Sequence, residues 1–131
     1  MKNRKWIALI ALCICLMVTL LFFIPKKLVS MPHDQVSKII LLNGSTGKSI
    51  EITDMEHIRK IMGNLNNVTI KKSELAIGYV GFNKRITIYD RHEKIQKEFI
   101  INLGEVVRQN AFFYETVDTR IDDVYLDRLF E

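Results

Sequence analysis

The string closest to a chemical motif runs from Leu42 to Ser49 and ends in Gly-Lys-Ser, as a phosphate-binding loop does. That loop has the form Gly-x-x-x-x-Gly-Lys-Ser/Thr, and the position of its first glycine is Leu42 here. It must also open a helix, whose first amides hold the phosphates. Residues 49–52 instead alternate like a strand. Residues 86–90 imitate a strand ending in a magnesium-binding aspartate, but their alternation suits a half-solvated antiparallel strand. We therefore predict a hairpin turn and no nucleotide binding.

The residue types that bind metals or catalyse hydrolysis do not form a recognisable pattern. His33, His57 and His92 have no histidine or cysteine neighbour at metal-ligand spacing, although a zinc site assembled in space stays an alternative. Four aspartates near the C-terminus lack the glycine and terminal glutamate of a calcium loop, so helix capping is the simpler interpretation. They are Asp118, Asp122, Asp123 and Asp127. The serines lie in no nucleophile-elbow context. We predict no catalytic residue, no metal and no cofactor.

The charge of the chain separates it into two parts. Of 131 residues, the first 27 hold five basic and no acidic side chains, and the other 104 hold 14 basic and 15 acidic ones. The net charge of +4 therefore belongs to the N-terminal segment. A nearly neutral remainder gives no electrostatic reason to expect nucleic-acid binding.

Residues 6–24 are hydrophobic at 18 of 19 positions and would span roughly 28 Å as a helix, which matches a bilayer core. A cleaved signal peptide has a shorter apolar region and a small-x-small site, and neither is present. Cys13 and Cys15 are interpreted as small apolar residues of this helix, with a soft metal or acylation site as the alternative. More basic residues precede the span than follow it, which favours a cytoplasmic N-terminus. We predict an uncleaved anchor over 1–27, inserted in membrane lipid.

The remaining chain is predicted to form a tether over 28–36 and one extracytoplasmic domain over 37–131. A hairpin is expected from 38–53, followed by a helix that Thr53 and Glu56 cap and that ends near Asn66. Further predicted elements are a strand at 68–72, a strand-like stretch at 75–82, paired strands at 85–89 and 94–102, a helical turn at 105–110 and a final helix opened by Asp122. The fold class is therefore α+β, an antiparallel sheet with two helices on one face.

Two groups of side chains could form an interaction surface. The aromatic candidates are Tyr79, Phe82, Phe112, Phe113 and Tyr114. The alternative for residues 112–114 is burial under the final helix; exposed phenylalanines would mark an interface. Lys71, Lys72, Lys84 and Arg85 give a basic area near Tyr79. That area would suit anionic lipid or wall polymer, or is a solvated sheet face with acids nearby.

The order of features resembles a group of small, uncharacterised membrane-anchored proteins of low-GC Gram-positive bacteria. The resemblance rests on the anchor and on the residues at 46–53, 86–90, 112–114 and 121–126. It implies an extracytoplasmic domain of unassigned function and supplies no catalytic residues.

We therefore predict a single-pass, membrane-anchored, non-enzymatic interaction or sensing module with a protein or cell-envelope partner. The alternative is an accessory or inhibitor domain, immunity-like, that acts on an envelope enzyme.

Overall fold

The computed structural model describes residues 2–79 and 81–131. The N-terminal apolar run forms helix α1, Lys2–Phe22, whose 21 residues correspond to about 31 Å. Every described side chain of α1 is exposed to solvent in the isolated chain. Among the described residues, α1 is the one helix long and apolar enough to cross a membrane, a requirement that a signal sequence also meets. Met1, within the predicted anchor, lies outside the described residues.

Eight strands form a single antiparallel sheet in the order β1-β4-β8-β7-β6-β5-β2-β3. Their bounds are β1 Lys26–Lys27, β2 Val36–Asn43, β3 Ser49–Ile52, β4 Thr69–Leu75, β5 Lys84–Asp90, β6 Ile95–Ile101, β7 Val106–Gln109 and β8 Phe112–Thr116. The predicted hairpin (β2–β3) and the pair of long strands (β5–β6) are both present.

One face of the sheet forms the core because successive side chains of a strand point to opposite faces, and those that point to this face in the central strands are mostly apolar. Ile39 of β2 lies opposite Ile88 of β5, and Ile86 lies opposite Phe99 of β6. All four side chains are at most 2% exposed. Their cross-strand contacts hold β2, β5 and β6 together as the centre of the domain.

Two helices cover this face, as predicted. Helix α2, Met55–Asn66, buries Ile58, Ile61, Met62 and Leu65 at helical spacing. Helix α3, Asp123–Arg128, buries Leu126. The Asn64 side chain joins the helices, since it donates to the Arg120 carbonyl and accepts from the Asp122 amide. The α+β class is confirmed.

The segment predicted as a tether, 28–36, is packed into the domain. Leu28, Val29 and Val36 are buried in the core. The Leu28 amide donates to the Val68 carbonyl over 3.0 Å, and Asn66 bonds both backbone groups of Met31. These contacts and the pairing of β1 with β4 show that the domain begins at Lys26, only three residues after Phe23.

Two other local predictions differ from the structure. The stretch 105–110 contains strand β7, Val106–Gln109, instead of a helical turn, because Val107 is buried between Ile101 of β6 and Tyr114 of β8. The stretch at 75–82 leaves the sheet after Leu75 and turns at Gly78, whose φ of +88° suits glycine. Val80, in the same stretch, lies outside the described residues.

Candidate interaction surface and cavity

The Gly-Lys-Ser string forms the β2–β3 turn. The Asn43 side-chain oxygen accepts the amides of Ser45 and Thr46, which closes the turn. Ser49 begins a strand, so no helix N-terminus follows the loop. Lys48 Nζ donates to the carbonyl oxygen of Phe130 over 2.8 Å. The lysine therefore ties the hairpin to the C-terminus, in agreement with the predicted turn.

His57 and Asp122 make structural contacts, whereas His33 lies in the segment before β2 and His92 in the turn between β5 and β6. His57 Nδ1 lies 2.5 Å from the hydroxyl of Tyr125, which joins α2 to α3. Burial, and then the charges of nearby carboxylates, raise the pKa of Tyr125, so that hydroxyl is neutral near pH 7. Asp122 caps α3 by accepting the Tyr125 amide. In the described part of the chain, no three potential metal ligands come together.

Sequence patterns did not reveal the ion pair of Lys84, which was expected in an exposed basic area. Lys84 is 1% exposed, and its Nζ lies 2.6 Å from Asp123 Oδ1 and 2.8 Å from Asp127 Oδ1. Burial lowers the pKa of Lys84, but the hydrogen bonds and charges of the two aspartates outweigh burial and raise it above 10.5. Two of the clustered aspartates thus pair with a core lysine.

The five predicted surface aromatics do not share one surface. Phe113 and Tyr114 are 6% and 2% exposed, so both are buried; Phe113 packs against Tyr79, and Lys26 lies over the Tyr114 ring, and neither contact involves the final helix. Phe82 is half-buried under the Arg85 guanidinium, and Phe112 is half-buried against Phe22. Tyr79 alone is largely exposed, at 64%. Adjacent strand residues point to opposite faces, which is why Phe113 and Tyr114 are buried in different places.

Two neighbours of Tyr79 extend the exposed area. Leu75 and Ile77 are 58% and 75% exposed, and with Tyr79 they form what we call the 75–79 loop surface. Outside the N-terminal segment, the described residues include eight exposed large apolar side chains, and three of them lie in these five positions. Such clustering is typical of an interaction surface, since scattered apolar residues need no explanation.

One end of the 75–79 loop surface, at Leu75, lies near the end of the apolar helix. Leu75 is paired with Phe112, and the Phe112 ring lies 5.4 Å from the ring of Phe22 in the last turn of α1. Lys72 Nζ stands 3.5 Å and 4.1 Å from the centres of those two rings. The Tyr79 ring packs edge-on against Phe113 at 4.8 Å, which holds the loop against the sheet.

A cavity of about 730 Å³ opens on another side of the domain. Its walls are the segment that follows β1 and the turn between β5 and β6. The lining residues are Lys27, Leu28, Val29, Ser30, Met31, Gln35, Asp90, Arg91, His92, Gln96 and Lys97. The sheet is therefore curled, because β1 and β6 are separated by three strands and yet face the same cavity.

Basic groups dominate the charge of this cavity. Burial, and then the charge of Lys26, lower the pKa of Lys97. The pKa of Asp90 is lowered, first by the Lys94 amide and then by the His92 amide and the Gln96 side chain, all of which donate to its carboxylate. The one acid of the lining is thus already hydrogen-bonded within its own turn.

No known protein family, curated protein or solved structure matches this chain. The resemblance to membrane-anchored proteins of Gram-positive bacteria stays a prediction. The fold and the site define a small α+β domain joined, within a few residues, to a helix with the properties of a membrane span.

Proposed function

We propose that this protein is a single-pass, membrane-anchored, extracytoplasmic and non-enzymatic interaction module, which binds a protein partner in the cell envelope. The observation that carries the proposal is the 75–79 loop surface, an exposed apolar patch whose first residue, Leu75, is paired with Phe112, the residue that contacts Phe22 in the last turn of α1. A partner that reaches this patch is itself at the membrane surface.

The direct passage from helix to domain supports a role next to the membrane. Residues Phe23 to Pro25 alone separate α1 from β1, and Leu28 is already buried in the core. Three residues extend at most about 11 Å. The domain is therefore held close to the end of α1.

The proposed orientation rests on the basic residues around α1. Lys2, Arg4 and Lys5 precede the apolar run, and Lys26 and Lys27 follow it, which favours a cytoplasmic N-terminus. A reporter that is active only outside the membrane, fused after Glu131, is expected to be active. An inactive fusion together with an active cytoplasmic reporter at the same position contradicts this orientation.

The non-enzymatic part of the proposal is supported by how the polar groups are used. His57 is bonded to Tyr125, Lys84 to two aspartates, and Asp122 caps a helix. Each of these groups has a structural partner that explains its presence.

Photo-crosslinking in cells tests the interaction surface. A photoreactive amino acid at position 77 or 79 is expected to give the same protein adduct, because both positions lie on one surface. Position 124 is the matched control, since Val124 is apolar and 62% exposed but lies on α3. Lipid adducts alone, or equal adducts from position 124, would overturn the proposal. Capture of an envelope hydrolase would favour the accessory or inhibitor role.

A further inference from the structure

The cavity described above carries an unbalanced positive charge. Lys27, Arg91 and Lys97 line it, with His92 beside them, and Asp90 is the one acid of the lining. The ion pairs found in the described residues involve Lys84 and Arg120, so the three cations of the cavity have no carboxylate within 4 Å there. A concave site with excess positive charge raises the local concentration of anions.

One of these cations is hydrogen-bonded to the backbone, and a second is half-buried. The Nε of Arg91 donates to the carbonyl oxygen of Asp34, which uses one of five donors of the guanidinium. Lys97 is half-buried on β6, where the nearby charge of Lys26 opposes its protonated form. An anion in the cavity would offset both the burial of Lys97 and this repulsion.

We propose that this cavity is a binding site for a phosphate ester. A guanidinium forms paired hydrogen bonds with phosphate oxygens, and lysines add point charges. A volume of about 730 Å³ lies within the roughly 300–1,000 Å³ range of small-molecule sites and exceeds what an inorganic ion fills. The ligand is therefore a phosphate that carries an organic group.

The phosphate ester comes either from a lipid headgroup or from a free molecule. Lys27 is three residues from Ile24, at the end of the apolar run, so it lies within about 11 Å of that end along the chain. This distance allows an anionic headgroup of the surrounding bilayer to reach the cavity. Only the lipid source rests on the proposed membrane anchoring.

Binding is measured on the full chain with isotopically labelled lysines, by following the NMR signal of Lys97. In detergent micelles free of phospholipid, the probe is glycerol 1-phosphate. In nanodiscs, the comparison is between phosphatidylglycerol and phosphatidylcholine. We expect one of these arms to give a saturable shift of the Lys97 signal and a higher pKa of Lys97.

Substitutions of cavity residues test whether the phosphate ester binds in the cavity. Arg91→Gln is expected to weaken binding about tenfold, since it removes a charged hydrogen-bond donor. Lys27→Gln is expected to act in the same direction, and Lys71→Gln is the control, because Lys71 is an exposed lysine outside the cavity. Thermal unfolding verifies that each variant is folded. Arg91 is exposed, so its substitution is tolerated by the fold.

The outcomes are distinct. Saturation by glycerol 1-phosphate supports a free ligand, and a response only to phosphatidylglycerol supports a headgroup. No response in either arm, or equal weakening by Lys71→Gln, overturns the site. The micelle arm is independent of topology and of the 75–79 loop surface, so its failure is separate from failure of the proposed function.

Discussion

The Nζ of Lys84 lies 2.6 Å from Oδ1 of Asp123, and this contact joins the core face of β5 to helix α3. Because Lys84 is 1% exposed, its charge depends on the two aspartates of α3. Lys84→Ala is expected to lower the free energy of unfolding by about 3 kcal/mol, because it removes both ion pairs and leaves a cavity in place of the buried lysine side chain. Denaturant unfolding of the full chain in detergent measures this loss.

The exposed ion pair of Arg120 with Glu105 provides the control for Lys84. Its atoms are 3.4 Å apart and its side chains are 67% and 62% exposed. Arg120→Ala should therefore change the free energy of unfolding by at most about 1 kcal/mol. Equal effects of the two substitutions would contradict the importance of burial.

The raised pKa of Lys84 predicts a loss of stability in alkali. A pKa that is higher in the folded than in the unfolded chain stabilises the fold fully below the unfolded value of about 10.4, and this contribution disappears as the pH rises through the folded pKa. Unfolding measured between pH 8 and 12 should show this decline. In the Lys84→Met variant, this part of the decline in the free energy of unfolding should be absent. If the free energies of the two proteins fell in parallel with pH, Lys84 would not be the cause of the decline.

Elements with strong local signals were predictable from the sequence. Asn43 to Gly47 contains the residues that form tight turns, and the apolar run before it and the alternation after it define β2 and β3. The amphipathic stripe of α2 was equally clear, because Ile58, Ile61, Met62 and Leu65 repeat at helical spacing. In each case the residues that specify the element are neighbours in sequence.

Features that depend on distant contacts were not predictable. Lys84 and Asp123 are 39 residues apart in sequence, and either one alone looks like an ordinary surface charge. Strand β7 has four residues and forms because β6 and β8 lie on both sides of it. The cavity also depends on residues that are distant in sequence, since its walls come from residues 27–35 and 90–97. Such sites arise from tertiary packing.

The N-cap of α2 is one residue away from its predicted position. Asp54, and not Thr53, accepts the amides of Glu56 and His57, over 2.7 Å and 3.4 Å. Asp54→Ala should lower the free energy of unfolding by about 1 kcal/mol because the first turn loses its acceptor. Thr53→Ala, measured by thermal unfolding under the same conditions, should have little effect. The opposite ranking would restore the predicted capping box.

Gly44 and Gly63 make a matched pair for the effect of an added methyl group. A Cβ at Gly44 would lie 1.9 Å from the Phe82 carbonyl oxygen, whereas one at Gly63 meets nothing within 4 Å. Gly44→Ala should therefore destabilise by at least about 1–3 kcal/mol, since backbone must move. Gly63→Ala, in the exposed face of α2, should stabilise by about 1 kcal/mol. Melting temperatures that shift in the same direction would contradict this.

Substitutions at Phe113 and Ile77 distinguish a buried residue from a residue of the interaction surface. Phe113 is 6% exposed, so Phe113→Ala should lower the free energy of unfolding by about 3 kcal/mol or more through the cavity it leaves. Ile77 is 75% exposed, and Ile77→Ser should change that free energy by no more than about 0.5 kcal/mol. The same Ile77→Ser substitution should reduce the adduct formed from a photoreactive residue at position 79, because it removes apolar contact area without unfolding the domain. An undiminished adduct would show that the partner does not contact the apolar side chain at position 77.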